Sequence, residues 1–159
     1  MNIKIICIGT LKEKFFKDAI EEYSKRLKPF CHFEICELSE HKLGKNFSSA
    51  DIISALDSEK NKVLSCIPKN AYVIALCVEG KELDSVGLSK VIDSAALTGK
   101  STIVFIIGSS FGLSEDLKVK ADLCLSMSRL TFPHQLARVL LVEQIYRSFQ
   151  ILSGTKYHK

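Results

Sequence analysis

The sequence predicts one α/β domain built on a mostly parallel sheet with helices on both faces. Strand-like and helix-like patterns alternate along its whole length. Two of the strand-like stretches, 71–78 and 102–107, are continuous apolar runs, as expected of strands covered on both sides. The chain of 159 residues fits a single domain, 1–159, and shows no internal repeat, low-complexity segment or linker.

The first strand, 3–8, ends at Gly9. Phe15, Phe16, Ala19, Ile20, Tyr23 and Leu27 then recur at helical spacing, and Glu21 with Lys25 and Glu22 with Arg26 occupy the opposite face. Pro29 closes that helix. Phe33, Ile35, Glu37 and Leu38 continue as the second strand, and the polar segment 41–47, with Gly44, reads as a loop. Ser48 and Asp51 have capping-box spacing ahead of a helix whose apolar face is Ile52, Ile53, Leu56, Val63 and Ile67; Pro68 ends it. The strand 71–78 leads to a turn at Glu79-Gly80-Lys81. A helix over 86–97 stops at Gly99, and the strand 102–107 stops at Gly108.

Ser114 caps a short helix whose first turn carries Glu115 and Asp116, where carboxylates suit the helix dipole. The fifth strand is 123–127. Pro133 opens the last helix as its first residue, and apolar positions continue from Leu136 to Leu152 before Gly154. This helix is apolar over more than one face. One side covers the sheet and the rest calls for a second partner, so a homodimer built on it is expected.

Apolar residues make up 47% and charged residues 25%, a globular balance that excludes disordered and fibrous classes. The longest uncharged stretch, 101–114, is 14 residues, short of the roughly 20 a membrane-spanning helix needs. The N-terminus enters a strand pattern directly, so a cytoplasmic location with reduced thiols is expected. The six cysteines include no C-x-x-C pair and no usual zinc spacing. Cys7, Cys77 and Cys124 sit in apolar runs as small hydrophobes, and no metal is expected. Net charge is +4 and its location is uneven. Residues 1–128 balance 17 cations against 17 anions, whereas 129–159 carry Arg129, Arg138, Arg147, Lys156 and Lys159 against Glu143. A local positive field suits an anionic partner, nucleic acid first, and a solvated basic tail reads the same on charge alone.

Ligands in open parallel sheets bind outside the carboxyl ends of strands. The ends at Leu76-Cys77-Val78-Glu79-Gly80, Ile107-Gly108-Ser109-Ser110-Phe111-Gly112 and Met127-Ser128-Arg129-Leu130-Thr131-Phe132 are therefore the candidate loops. Gly108 to Gly112 also spells G-x-S-x-G, the nucleophile elbow of hydrolases, with Asp122 and His134 in the order a triad requires. Little chain follows Ser110 to supply the later strands of that fold. The segment Gly9-Thr10-Leu11-Lys12 lacks the G-x-G-x-x-G of a dinucleotide site, and no Walker motif is present.

Phe132-Pro133-His134, the helix from Arg138 through Glu143-Gln144-Ile145-Tyr146-Arg147, the ending Tyr157-His158-Lys159, and Ile107-Gly108 followed by Gly112-Leu113-Ser114 together resemble the ribosomal RNA large subunit methyltransferase H family. That family belongs to the SPOUT superfamily, and the resemblance covers the whole chain. It implies a SPOUT fold with a C-terminal trefoil knot, an exception to the rule that chains stay unknotted. It implies a cytoplasmic homodimer that uses S-adenosyl-L-methionine to methylate N(3) of a pseudouridine in 23S (large-subunit) ribosomal RNA, within the ribosome.

By position, the resemblance assigns the cofactor pocket to Leu76, Gly108, Met127, Ser128, Arg129, Leu130, Thr131 and Phe132. Methyl transfer from a sulfonium needs alignment rather than a metal or a covalent intermediate. The acceptor nitrogen is protonated at neutral pH, so a base or a nearby positive charge must favour its deprotonated form. Arg147, Tyr157 and His158 are the candidates for holding or deprotonating it; His134 and Arg138 come second, with His134 read first as a helix cap. Ser109 departs from the family, which usually has a second glycine there. A non-catalytic knotted dimer that binds RNA or the ribosome is the alternative.

Overall fold

The computed structural model describes residues 1–155 and Tyr157. Its elements are β1 (Asn2–Ile8), α1 (Lys14–Leu27), β2 (His32–Leu38), α2 (Ser49–Cys66), β3 (Tyr72–Glu82), α3 (Ser85–Leu97), β4 (Thr102–Ile107), α4 (Glu115–Lys120), β5 (Leu123–Ser126) and α5 (His134–Leu152). The strands form one parallel sheet in the order β2-β1-β4-β3-β5.

The period of two along each strand sorts the core into two layers. Ile3, Ile5, Cys7, Ile74, Ile103, Phe105 and Ile107 face one side, where Leu27 of α1, Ile92 of α3 and Val142 and Ile145 of α5 cover them. Ile6, Ile8, Ala75, Val104 and Ile106 face the other, under Val63 of α2 and Leu117 of α4. Every residue of β4 is buried, because this strand is central and covered on both faces.

The capping box forms as expected. Asp51 N donates to Ser48 Oγ at 3.2 Å and Ser48 N donates to Asp51 Oδ2 at 2.7 Å. The surplus apolar surface of α5 is met partly within the chain: the helix lies between α1 and α3, and none of residues 134–151 is exposed.

Three details differ from the sequence reading. Glu79-Gly80-Lys81 does not turn the chain but lies inside β3, where Leu76 and Lys81 both pair with Leu125 across a bulge. A Cβ on Gly80 would stand 2.8 Å from the backbone of Cys124 and Leu125, so the bulge needs glycine there. β5 ends at Ser126, which leaves Met127 in the following loop. Pro133, with φ −53° and ψ 138°, precedes α5 as its cap residue rather than forming its first turn.

The path after β5 positions the site. β5 is the edge strand beside β3, yet α5 begins against the far end of β1. Lys12 N donates to Gln135 Oε1 at 2.8 Å, and Arg138 Nη2 donates to the Gly9 carbonyl at 3.1 Å. Residues 127–133 therefore cross the carboxyl ends of β3 and β4.

Candidate functional site

That crossing, the bulged part of β3 and the loop after β4 enclose one cavity of about 780 Å³ at the carboxyl end of the sheet. Its volume falls within the range of small-molecule sites. Leu76, Gly108, Met127, Ser128, Leu130, Thr131 and Phe132 line it, so the structure brings together all the predicted pocket residues except one. Arg129 points away and pairs with Glu82 at 3.3 Å.

Each loop is shaped by a local rule. Gly108 has no room for a side chain, since a Cβ would lie 2.2 Å from the Gly112 carbonyl oxygen. The loop closes on itself where Gly112 N donates to the Ser109 carbonyl at 2.9 Å. After β5, Leu130 N donates to Ser128 Oγ at 3.0 Å, and Ser126 Oγ donates to the Ser128 carbonyl at 3.1 Å. This tight turn holds Leu130 at the rim with 71% of its surface exposed, an apolar surface suited to one face of a flat ligand.

Ser109 turns its hydroxyl to the buried Glu59, donating to Oε2 at 3.0 Å. Glu59 Oε1 accepts from His41 N at 2.9 Å, so one α2 carboxylate ties the glycine loop to the loop before α2. Cys77 and Lys118 also line the cavity. Burial, with the neighbouring Cys124 thiol and Glu79 charge, pushes the Cys77 thiol up to about 11. Cys77 thus contributes an uncharged thiol to the wall at neutral pH. Lys118 pairs with Glu79 and, at 2.7 Å, with Glu115. Desolvation opposes its charge, but the two carboxylates override it and hold its pKa above the usual lysine range.

The hydrolase triad does not assemble. Ser110 Oγ donates to Glu40 Oε1 at 3.2 Å, while Asp122 Oδ2 accepts from Val73 N at 2.7 Å, at the opposite end of the sheet. The second-choice bases are also placed. Arg138 is fully buried, paired with Glu37 and with the Gly9 carbonyl, and its Nε has no partner among the described residues. It anchors the first turns of α5 and cannot reach a substrate. His134 lines the cavity wall, and no side chain caps the start of α5.

Arg147 and Tyr157 form a separate cluster. Arg147 Nη2 and Nε donate to Glu143 Oε1 at 2.7 and 3.0 Å, and Tyr157 Oη donates to the same oxygen at 3.3 Å. The guanidinium sits 4.8 Å from the Tyr157 ring centroid. Arg147 lies on α5 about 15 Å along the axis from cavity-lining Ala137, at 1.5 Å per residue. Within one chain the structure therefore does not bring Arg147 and Tyr157 to the cavity. His158 lies outside the described residues.

Sequence reasoning missed Glu59 and Lys118. Glu59 was detectable, since it falls on the helical stripe of Ile52, Leu56 and Val63 and is a carboxylate where an apolar residue is expected. Lys118 shows no such signal in a helix of mixed charge.

A family model described as "Predicted SPOUT methyltransferase" matches residues 1–158. The chain is 49% identical over 159 residues to a ribosomal RNA large subunit methyltransferase H of Clostridium botulinum (strain Alaska E43 / Type E3), covering 100% of both chains. Relatives of the same name from Streptococcus uberis and Clostridioides difficile are 48% and 46% identical, again over 100% of both chains. Among solved structures, a probable methylase family protein from Haemophilus influenzae Rd KW20 matches with TM-score 0.53 at 13% identity, covering 99% of this chain and 70% of that one. A probable methyltransferase from Bordetella pertussis Tohama I matches with TM-score 0.53 at 10% identity, covering 93% and 95%. At these identities the structural likeness is one of fold.

Proposed function

Because the chain belongs to the ribosomal RNA large subunit methyltransferase H family of the SPOUT methyltransferases, we propose that it methylates N(3) of a pseudouridine in 23S ribosomal RNA. In this reading S-adenosyl-L-methionine is the donor, the protein is a single-domain cytoplasmic homodimer, and the ribosome presents the substrate. The observation that carries the reading is the convergence of three loops, far apart in sequence, on one cavity at the carboxyl ends of parallel strands. Its features fit the donor. Leu76, Leu130 and Phe132 offer an apolar slot for an adenine, and the backbone of the loop from Gly108 to Gly112 lines it. Bound there, S-adenosyl-L-methionine supplies an electrophilic methyl group on a sulfonium.

The chain's own residues then have to orient the acceptor and favour loss of its proton. Tyr157 is a poor base: burial and the Glu143 carboxylate raise its pKa above the usual tyrosine value, so it remains a hydrogen-bond donor. Arg147 stays cationic, its pKa raised chiefly by the hydrogen bond to Glu143. A fixed cation stabilises an anionic acceptor nitrogen, so Arg147 is the residue assigned to hold the deprotonated base, with Tyr157 and His158 stacking and orienting it. Because Arg147 is remote from the cavity of its own chain, this assignment requires the α5 end of one copy to complete the cavity of the other. The path of 127–133 across the sheet ends supports reading the C-terminal segment as a trefoil knot.

The test combines calorimetry with mass mapping of ribosomal RNA. The expected result is one S-adenosyl-L-methionine per chain and one added methyl group on a pseudouridine when wild-type protein is incubated with unmodified ribosomes. Donor binding without methylation would leave the non-catalytic ribosome-binding dimer as the reading. No donor binding by folded protein would overturn both the donor assignment and the activity.

A further inference from the structure

Segment 39–48, between β2 and α2, is tied to the glycine loop of the cavity at three points. Glu40 accepts from Ser110 Oγ at 3.2 Å. Buried Glu59 joins His41 N, at 2.9 Å, to Ser109 Oγ, at 3.0 Å. The Phe47 ring meets the Phe111 ring edge-on, with centroids 5.5 Å apart and planes at 79°.

Both rings are open to solvent, with 46% of Phe47 and 39% of Phe111 exposed. Phe111 also lines the cavity, so the pair marks its rim. In the same segment, Lys42 and Lys45 are exposed and form no ion pair among the described residues, whereas its acidic residue, Glu40, is engaged by Ser110.

Open aromatic faces with free cations at a cavity rim match the needs of a looped RNA strand. Its unpaired bases stack on rings and its phosphates attract lysines. The segment leads into α2, which covers the sheet face opposite α5, so a dimer formed through α5 leaves it free.

We propose that segment 39–48 is the docking lip for the RNA strand around the target base, with bases stacking on Phe47 and Phe111 and phosphates held by Lys42 and Lys45. This rests on the ribosomal RNA reading above. The Glu59 and Glu40 links place the strand against the same loop that shapes the donor cavity.

The experiment compares wild type, Phe47→Ala and the double variant Lys42→Glu/Lys45→Glu. It measures donor affinity by calorimetry, steady-state methylation against ribosome concentration, and cosedimentation with ribosomes. The expected outcome is unchanged donor affinity, unchanged kcat at saturation, and a KM for ribosomes raised about tenfold or more in each variant. The lysine variant should also lose part of the salt dependence of cosedimentation. Unchanged KM and unchanged cosedimentation would overturn the proposal, as would a loss of donor affinity that accounts for the whole effect. If wild type binds ribosomes without methylating them, the activity assignment fails; weaker cosedimentation of the variants would still support the lip.

Discussion

At the scale of single residues, the cavity is controlled by charges and hydroxyls that are already committed to partners. Glu79 is held below the usual glutamate range chiefly by its hydrogen bond from Lys118. A carboxylate with a depressed folded pKa contributes stability that is present above its ordinary value of 4.5 and is lost as pH falls through the lower, folded value. The titration of the Glu79 side-chain carbon followed by NMR should thus show a midpoint below 4.5 in wild type. In Lys118→Met the midpoint should move upward, and the stability gained from the depressed Glu79 value should be missing at neutral pH. An unshifted midpoint would mean that the pair does not persist in solution. Ser109 shows how a hydroxyl is accommodated in the cavity wall: Glu59 takes its hydrogen bond, so the oxygen is not left unsatisfied.

At the scale of elements, the alternation of strands and helices, the capping box at Ser48 and the two-sided burial of β4 were all legible, because each depends on periodicity or on a local hydrogen bond. The inner part of β3 was not. Glu-Gly-Lys has the composition of a turn, and only pairing with a partner distant in sequence shows that it is a bulge. Of the eight residues the resemblance assigns to a cofactor, seven line the cavity, whereas the Arg129 side chain pairs with Glu82, a contact with a strand distant in sequence that no local pattern signals. The bulge gives an element-scale prediction. Gly80→Ala drives a Cβ into the Cys124 backbone and should cost about 1–3 kcal/mol in denaturant unfolding. It should also weaken donor binding more than the stability loss alone explains, since β5 carries the turn that presents Leu130. Wild-type stability in that variant would show that the β3 and β5 backbones can separate freely.

At the scale of the whole molecule, the separation of the cavity from the Arg147 cluster is the central fact, and it bears directly on assembly. If each site draws its cavity from one chain and its cation from another, two differently crippled chains can repair each other. Gly108→Ala, whose Cβ would collide with the Gly112 backbone and distort the loop that lines the cavity, and Arg147→Ala, which removes the cation, should each be inactive as pure dimers. Mixed after joint refolding, they should regain a substantial fraction of activity, because one of the two sites in a mixed dimer is intact. A mixture as inactive as its components would refute the shared site. Composition alone did not reveal this arrangement. The concentration of positive charge in residues 129–159 suited an anionic partner or a solvated tail equally, and did not reveal that Arg138 is a buried anchor, that Arg147 is a half-buried partner of Glu143, or that Arg129 pairs with Glu82.

The route of 127–133 over the sheet also has a consequence for biosynthesis. The roof of the cavity is made after every strand of the sheet, and its far support, Arg138 on Glu37 and Gly9, joins α5 to the carboxyl end of β1. A nascent chain that has emerged only as far as β5 can assemble the sheet yet has no anchored roof, so competence to hold a ligand waits for α5 to be made.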